Sequence, residues 1–265
     1  MSVPADNPVA RGCYRRLLVV VRHGGACPAV ILDYTSAWAM RDAVAHVAVL
    51  SDGADEDGGV TPGMVSAGCP NVATADAMRC SLVTRGLDAT ESHVLPVHAG
   101  AGISDAVAEL AGRWGADIVL TDYPSPAHLA QASACNVLFL PTDGSHRFHV
   151  PPGRIFVASD DSAAADCAVE EAKRVAGNAE LRRAYVSCEP EAGTLPGSAT
   201  VVLAAAHHGD NLAHAILQAA REWGADLLVL GTHGPVRHAR WRYGSVATAV
   251  ALVSDVPLLL VPERS

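Results

Sequence analysis

The sequence predicts an α/β protein built from two tandem open parallel five-stranded sheets with flanking helices. Three observations carry that expectation. Short uncharged apolar runs such as Leu17–Val21, Ile118–Thr121, Leu227–Leu230 and Leu258–Val261 read as strands buried on both faces. These runs alternate with segments of helical length, which implies βαβ units and a parallel sheet. The chain also repeats itself: RWGADIVLT, from Arg113, aligns with EWGADLLVLG, from Glu222, placing Trp114 over Trp223, and VLFLP at 137–141 aligns with LLLVP at 258–262.

Taken in order, residues 1–14 read as a flexible leader and 15–142 as a first domain. Its strands are expected at Leu17–Val21, Val44–Leu50, Val94–Val97, Ile118–Thr121 and Val137–Leu140. Helices are expected over Pro28–Arg41, where proline is tolerated in the first turn, over Val72–Leu82, and over Ser104–Trp114 with Ser104 as cap. A linker at 143–153 leads to a second domain, 154–265. There the pattern gives strands at Ile155–Ser159, Arg183–Ser187, Val201–Ala205, Leu227–Leu230 and Leu258–Val261. Its helices fall at Ala163–Val175 (capped by Ser162), Leu212–Trp223 and Val246–Val253.

The repeats differ where chemistry would be. After Leu227–Leu230 the second half carries Gly231, Gly234, Gly244 and Ser245 in the frame G-x2-G-x9-G-S, running into a helix. Glycines let backbone N–H groups approach an anion, and a helix start offers unpaired donors and a positive dipole end. Ser245 at the cap adds a hydroxyl, and Arg237, Arg240, Arg242, His233 and His238 give the loop a charge suited to phosphate. The first half is shorter at this point, and its TDYPSPAHLAQASACN contains no glycine. Arg22 stands where the second half has Asp160. The first half is longer between its first and third strands, and residues 51–90 are expected to cover a face shared by the two halves.

The glycine frame resembles the nucleotide motif G-2x-G-9x-G-(S/T) of the ATP-binding subgroup of the universal stress protein family. The resemblance extends over nearly the whole chain from Arg15 but is specific only in the C-terminal half. It implies an adenine nucleotide, ATP or AMP, with Mg2+ as an optional counter-ion. Ser159 and Asp160 match the family's strand end, where the aspartate contacts the nucleoside. Val186 matches the apolar residue placed against adenine. Gly231, Thr232, Gly234, Gly244, Ser245 and Val246 would line the phosphates and ribose, and Arg237 would reach the terminal phosphate. The same resemblance implies a homodimer through pairing of last strands, with Leu258–Val261 packing against Val137–Leu140 in the same chain or against a second copy. One departure is the short link from Cys188 to Thr200, which has no room for the family's usual extra helix.

Composition limits the alternatives. The 265 residues carry a net charge of −9, with Lys173 the only lysine, which argues against nonspecific nucleic-acid binding. No apolar run approaches the ~20 residues needed to span a bilayer, and the start lacks the apolar core of a secretory signal, so a cytoplasmic protein is expected. Seven scattered cysteines without a CxxC suggest neither a disulfide framework nor a zinc knuckle. His207, His208 and His214 lack the companions of a metal site, and no motif sets a nucleophile beside a base. The expected function is therefore stress regulation by nucleotide binding. A ligand-free interaction scaffold and a slow ATP hydrolase are the rivals.

Overall fold

Ten strands form one sheet, in the order β3-β2-β1-β4-β5-β10-β9-β6-β7-β8. The computed structural model describes residues 12–22, 29–52, 70–97, 102–123, 125–141, 148–187, 200–204, 209–232 and 245–263. In chain order the first half comprises β1 (Tyr14–Arg22), α1 (Ala29–Trp38), β2 (Ala39–Asp52), α2 (Pro70–Thr84), β3 (Asp88–Val97), α3 (Ile103–Trp114), β4 (Ile118–Thr121), α4 (Pro126–Ala132) and β5 (Asn136–Phe139). The second half comprises β6 (Arg154–Ser159), α5 (Ala163–Ala176), β7 (Glu180–Ser187), β8 (Thr200–Ala204), α6 (Gly209–Trp223), β9 (Leu227–Thr232), α7 (Ser245–Val253) and β10 (Leu258–Pro262).

The expected α/β class holds, but the two five-stranded sets are not separate sheets. β5 and β10 pair antiparallel, with Leu258 opposite Phe139 and Leu260 opposite Val137, whereas every other pairing is parallel. Last-strand pairing is thus made inside the chain. β10 has β9 on its other side, so the strand keeps no free edge for a second copy. The antiparallel seam also turns the halves over, and their strand ends point to opposite edges of the molecule.

Continuous apolar runs fill the middle layer: every residue of β4, β5 and β10 is buried. Alternate side chains of the strands feed two cores, one beneath α1, α2 and α5 and the other beneath α3, α4, α6 and α7. Each core contains residues from both halves. α2 packs on β2, β3 and α1 of its own half. Residues 53–69 lie outside the described residues.

Three local expectations are corrected. Cys13 and Tyr14, expected in the leader, belong to the folded first half: the N–H of Cys13 donates to the Trp38 carbonyl, and Tyr14 is buried as the first residue of β1, while residues 1–11 lie outside the described residues. The first helix ends at Trp38 and passes directly into a long β2. α3 is capped by the extended Gly102 without a side-chain bond, and Ser104 lies inside the first turn. Ser162 does cap α5, its Oγ accepting the N–H of Ala165 at 3.2 Å.

Each half carries the same kind of joint at the amino ends of its own strands. Asp117 Oδ2 accepts the backbone N–H groups of Arg15 and Arg16 at 2.8 and 2.9 Å. Asp226 Oδ2 does the same for Gly153 and Arg154 at 2.9 and 3.0 Å. Gly115 and Gly224, just before, adopt φ of 70° and 71°, which glycine reaches without steric cost. Arg16 stacks over Trp114 as Arg154 does over Trp223.

The seam is held by a buried polar cluster. Glu171 of α5 accepts the Tyr14 hydroxyl at 2.5 Å and the Asn136 amide at 2.7 Å, both from the first half. Arg174 closes the cluster on Glu171 and on the Cys13 carbonyl, and lies over the Tyr14 ring. Burial, reinforced by the Glu171 charge, holds the Tyr14 hydroxyl well above its usual pKa, so it stays a donor.

Candidate functional site

In the second half, strand order reverses between β6 and β9: from β6 the chain moves outward to β7 and β8, then returns to β9 and β10 on the other side. Ligands of open parallel sheets sit beyond the carboxyl strand ends at such a switch point. Here the ends of β6 and β9 are neighbours, with Ala158 opposite Leu230. The next residues along each strand are Ser159 and Asp160 on one side and Gly231 and Thr232 on the other.

Ser159 is buried and its Oγ accepts Nη2 of Arg183 at 2.7 Å. Asp160 is exposed, and its Oδ1 accepts the backbone N–H of Ser162 at 3.1 Å. A carboxylate has further lone pairs, so this bond leaves acceptor capacity at the crevice. Asp161 follows in the left-handed region, φ 61°, and pairs with Arg183. Ser162 then caps α5, whose amino end opens at the crevice.

Gly231 lies against the first turn of α5, where a Cβ would overlap the carbonyl of Ala164. Helix packing alone therefore requires glycine here, whatever the loop beyond it holds. Thr232 is 3% exposed, and its buried Oγ1 has no hydrogen-bond partner among the described residues. A hydroxyl in that state is costly unless something bonds to it. Ser245 begins α7, which packs on β9, and Val246 is half-buried in its first turn. Val186 lies in β7, paired with Leu203. Gly234, Arg237 and Gly244 lie outside the described residues.

So Ser159, Asp160, Gly231 and Thr232 converge on one crevice. Arg183 and Asp161 join them without having been singled out from sequence. Arg183 sits in an ordinary strand pattern, and only the left-handed backbone at Asp161 turns that carboxylate toward it. The residues present fit an adenine nucleotide in part: a carboxylate for hydroxyls, a glycine backbone at the loop entrance and a buried hydroxyl with no partner among the described residues.

The matching crevice of the first half, between β1 and β4, has opposite chemistry. Arg22 ends β1, and Asp122 follows β4. Asp122 is 7% exposed, and its Oδ1 has no hydrogen-bond partner among the described residues. Burial raises its carboxyl pKa, opposed by the Arg22 charge and by a hydrogen bond from the Arg22 backbone. Among the described residues no group of His, Cys, Asp and Glu could hold a metal ion, and His207 and His208 lie outside them. No helix among the described residues is long and apolar enough to cross a membrane.

The segment carrying β8, α6, β9, the glycine frame and β10 is the part with a recognisable relative. Residues 199–262 match the Universal stress protein family. The fold extends that likeness over the chain. A universal stress protein from Archaeoglobus fulgidus DSM 4304 superposes with a TM-score of 0.60 at 15% identity, covering 97% of this chain and 99% of that one. A functionally unknown protein from Pseudomonas aeruginosa PAO1 superposes at 0.63 and 14% identity, covering 94% and 93%. At such identities the agreement concerns the fold. No curated protein matches the chain in sequence.

Proposed function

We propose that the chain is a cytoplasmic universal stress protein of tandem organisation, holding ATP or AMP in its second half and lacking that site in its first. The observation that carries this reading is the β6–β9 crevice, where an exposed carboxylate and a buried hydroxyl with no partner among the described residues meet at the start of the G-x2-G-x9-G-S frame. The frame lies inside the segment that matches the family.

Each residue has a binding task. Asp160 accepts hydrogen bonds from the ribose hydroxyls, and Thr232 Oγ1 bonds to the nucleotide. The backbone of the loop from Gly231 to Gly244, with Ser245 and the amino end of α7, takes the phosphates. Arg237 meets the terminal phosphate, Val186 lies against adenine, and Val246 lines the pocket floor. When ATP is bound, Mg2+ shields the phosphates. Occupancy, rather than turnover, is the signal.

The first half cannot do this. Arg22 replaces the ribose acceptor, and the carboxylate of Asp122 stands where phosphate would enter. A buried anion there repels another anion. Because last-strand pairing is internal, the proposed working unit is one chain with two unlike halves. Isothermal titration of the full chain with ATP and AMP tests the reading. Saturable binding abolished by Gly234→Val is expected. No heat with either nucleotide at millimolar concentration would leave the ligand-free interaction scaffold in its place.

A further inference from the structure

We infer that Arg183 is a positioning residue of the second-half crevice: it fixes the turn that presents Asp160 by holding Asp161 in its left-handed conformation. The nucleotide reading above supplies the ligand for this inference; the geometry stands without it.

Arg183 lies in β7 opposite Val157, on the face covered by α5. Its Nη2 donates to Ser159 Oγ at 2.7 Å and to Asp161 Oδ1 at 2.6 Å. The two acceptors flank Asp160 in sequence, so one guanidinium grips the turn on either side of the residue that faces the ligand. Asp161 is the sole non-glycine residue with positive φ among the described residues. That region is sterically disfavoured for a residue with a Cβ, although aspartate tolerates it better than most. A charge-assisted hydrogen bond is among the stronger devices available to offset such a preference.

The adjacent carboxylates divide the work. Asp161 takes up the Arg183 charge, while Asp160 turns to the Ser162 N–H and the crevice. With the guanidinium removed, Asp161 would relax toward negative φ. The chain leaving β6 would then carry Asp160 and the α5 cap out of register with Gly231 and Thr232. Glycine adopts φ near +61° without that penalty. A glycine at 161 therefore does by backbone freedom what Arg183 does by charge.

The test compares the parent chain, Arg183→Ala and the double variant Arg183→Ala/Asp161→Gly. ATP affinity is read by titration and the turn by amide hydrogen exchange at Ser162 and Ala165. Arg183→Ala should weaken ATP by about threefold, the scale of a partly exposed ion pair, and speed exchange at Ser162. The double variant should regain most of the affinity and slow exchange again. A double variant as weak as Arg183→Ala would overturn the inference, because Arg183 would then be touching the ligand directly. Should the parent bind no ATP, the nucleotide reading fails and the exchange data still decide. Faster Ser162 exchange in Arg183→Ala, reversed by Asp161→Gly, upholds the clamp; unchanged exchange overturns it.

Discussion

Asp122 and Gly231 occupy the same place in the two halves. Each follows a strand residue held between equivalent neighbours: Thr121 between Val20 and Phe139, Leu230 between Ala158 and Leu260. At that point one half brings a carboxylate over its switch point. The other brings a bare backbone against a helix start. A shared scaffold thus carries two crevices of opposite character at opposite edges of the sheet.

Burial raises the Asp122 pKa, so folding favours its protonated form. Its contribution to stability is therefore present below the ordinary aspartate value of about 3.9 and is lost as pH rises through the elevated folded value. Asp122→Asn should melt at a higher temperature than the parent at pH 7. That advantage should shrink with falling pH and vanish in the ordinary carboxylate range. Scanning calorimetry across pH 3–8 checks it; a variant less stable at pH 7 would show that the ionised group is better compensated than its surroundings suggest.

Gly231→Ala places a Cβ on the Ala164 carbonyl, so α5 must shift at its amino end. Overpacking of this kind costs about 2 kcal/mol. Because α5 opens at the crevice, nucleotide affinity should fall with stability, whereas Gly234→Val should abolish binding while leaving the melting temperature nearly unchanged. Paired melting and titration curves separate the two effects.

The seam cluster should be felt across the whole molecule. Glu171→Ala leaves the Tyr14 hydroxyl, the Asn136 amide and Arg174 without their common acceptor. The loss expected is about 2–3 kcal/mol, below the range for fully buried pairs because the Arg174 side chain is 39% exposed. Tyr14→Phe, which keeps the packing, should cost about 1 kcal/mol. Both cores contain residues of both halves, so urea unfolding should remain a single transition by circular dichroism and tryptophan fluorescence. Separate transitions would mean that the halves are independent units.

Local signals made much of this fold legible. β4 was readable to the residue because a run buried on both faces is uniformly apolar, and the Ser162 cap was readable from a serine before a helical pattern. α4 was missed: it spans only seven residues, too few to show a helical period. The direct passage from Trp38 into β2 was also missed, because Met40 and Arg41 continue a helical pattern as well as a strand. At the crevice, Ser159, Asp160, Gly231 and Thr232 were legible from motif and repeat. The Arg183–Asp161 pair was not, since it depends on a backbone angle that aspartate rarely adopts. Contacts between distant positions, such as Tyr14 with Glu171, leave no trace in either local pattern.

The central claim is one nucleotide site per chain, in the second half alone. Denaturing freshly purified protein after saturation with ATP and removal of free ligand, then counting released nucleotide by mass and ultraviolet absorbance, tests it most directly. The account predicts one adenine nucleotide per chain, falling to zero in Gly234→Val and unchanged in Asp122→Asn. Two per chain would contradict it, because the crevice flanked by Arg22 and Asp122 would then be a second site.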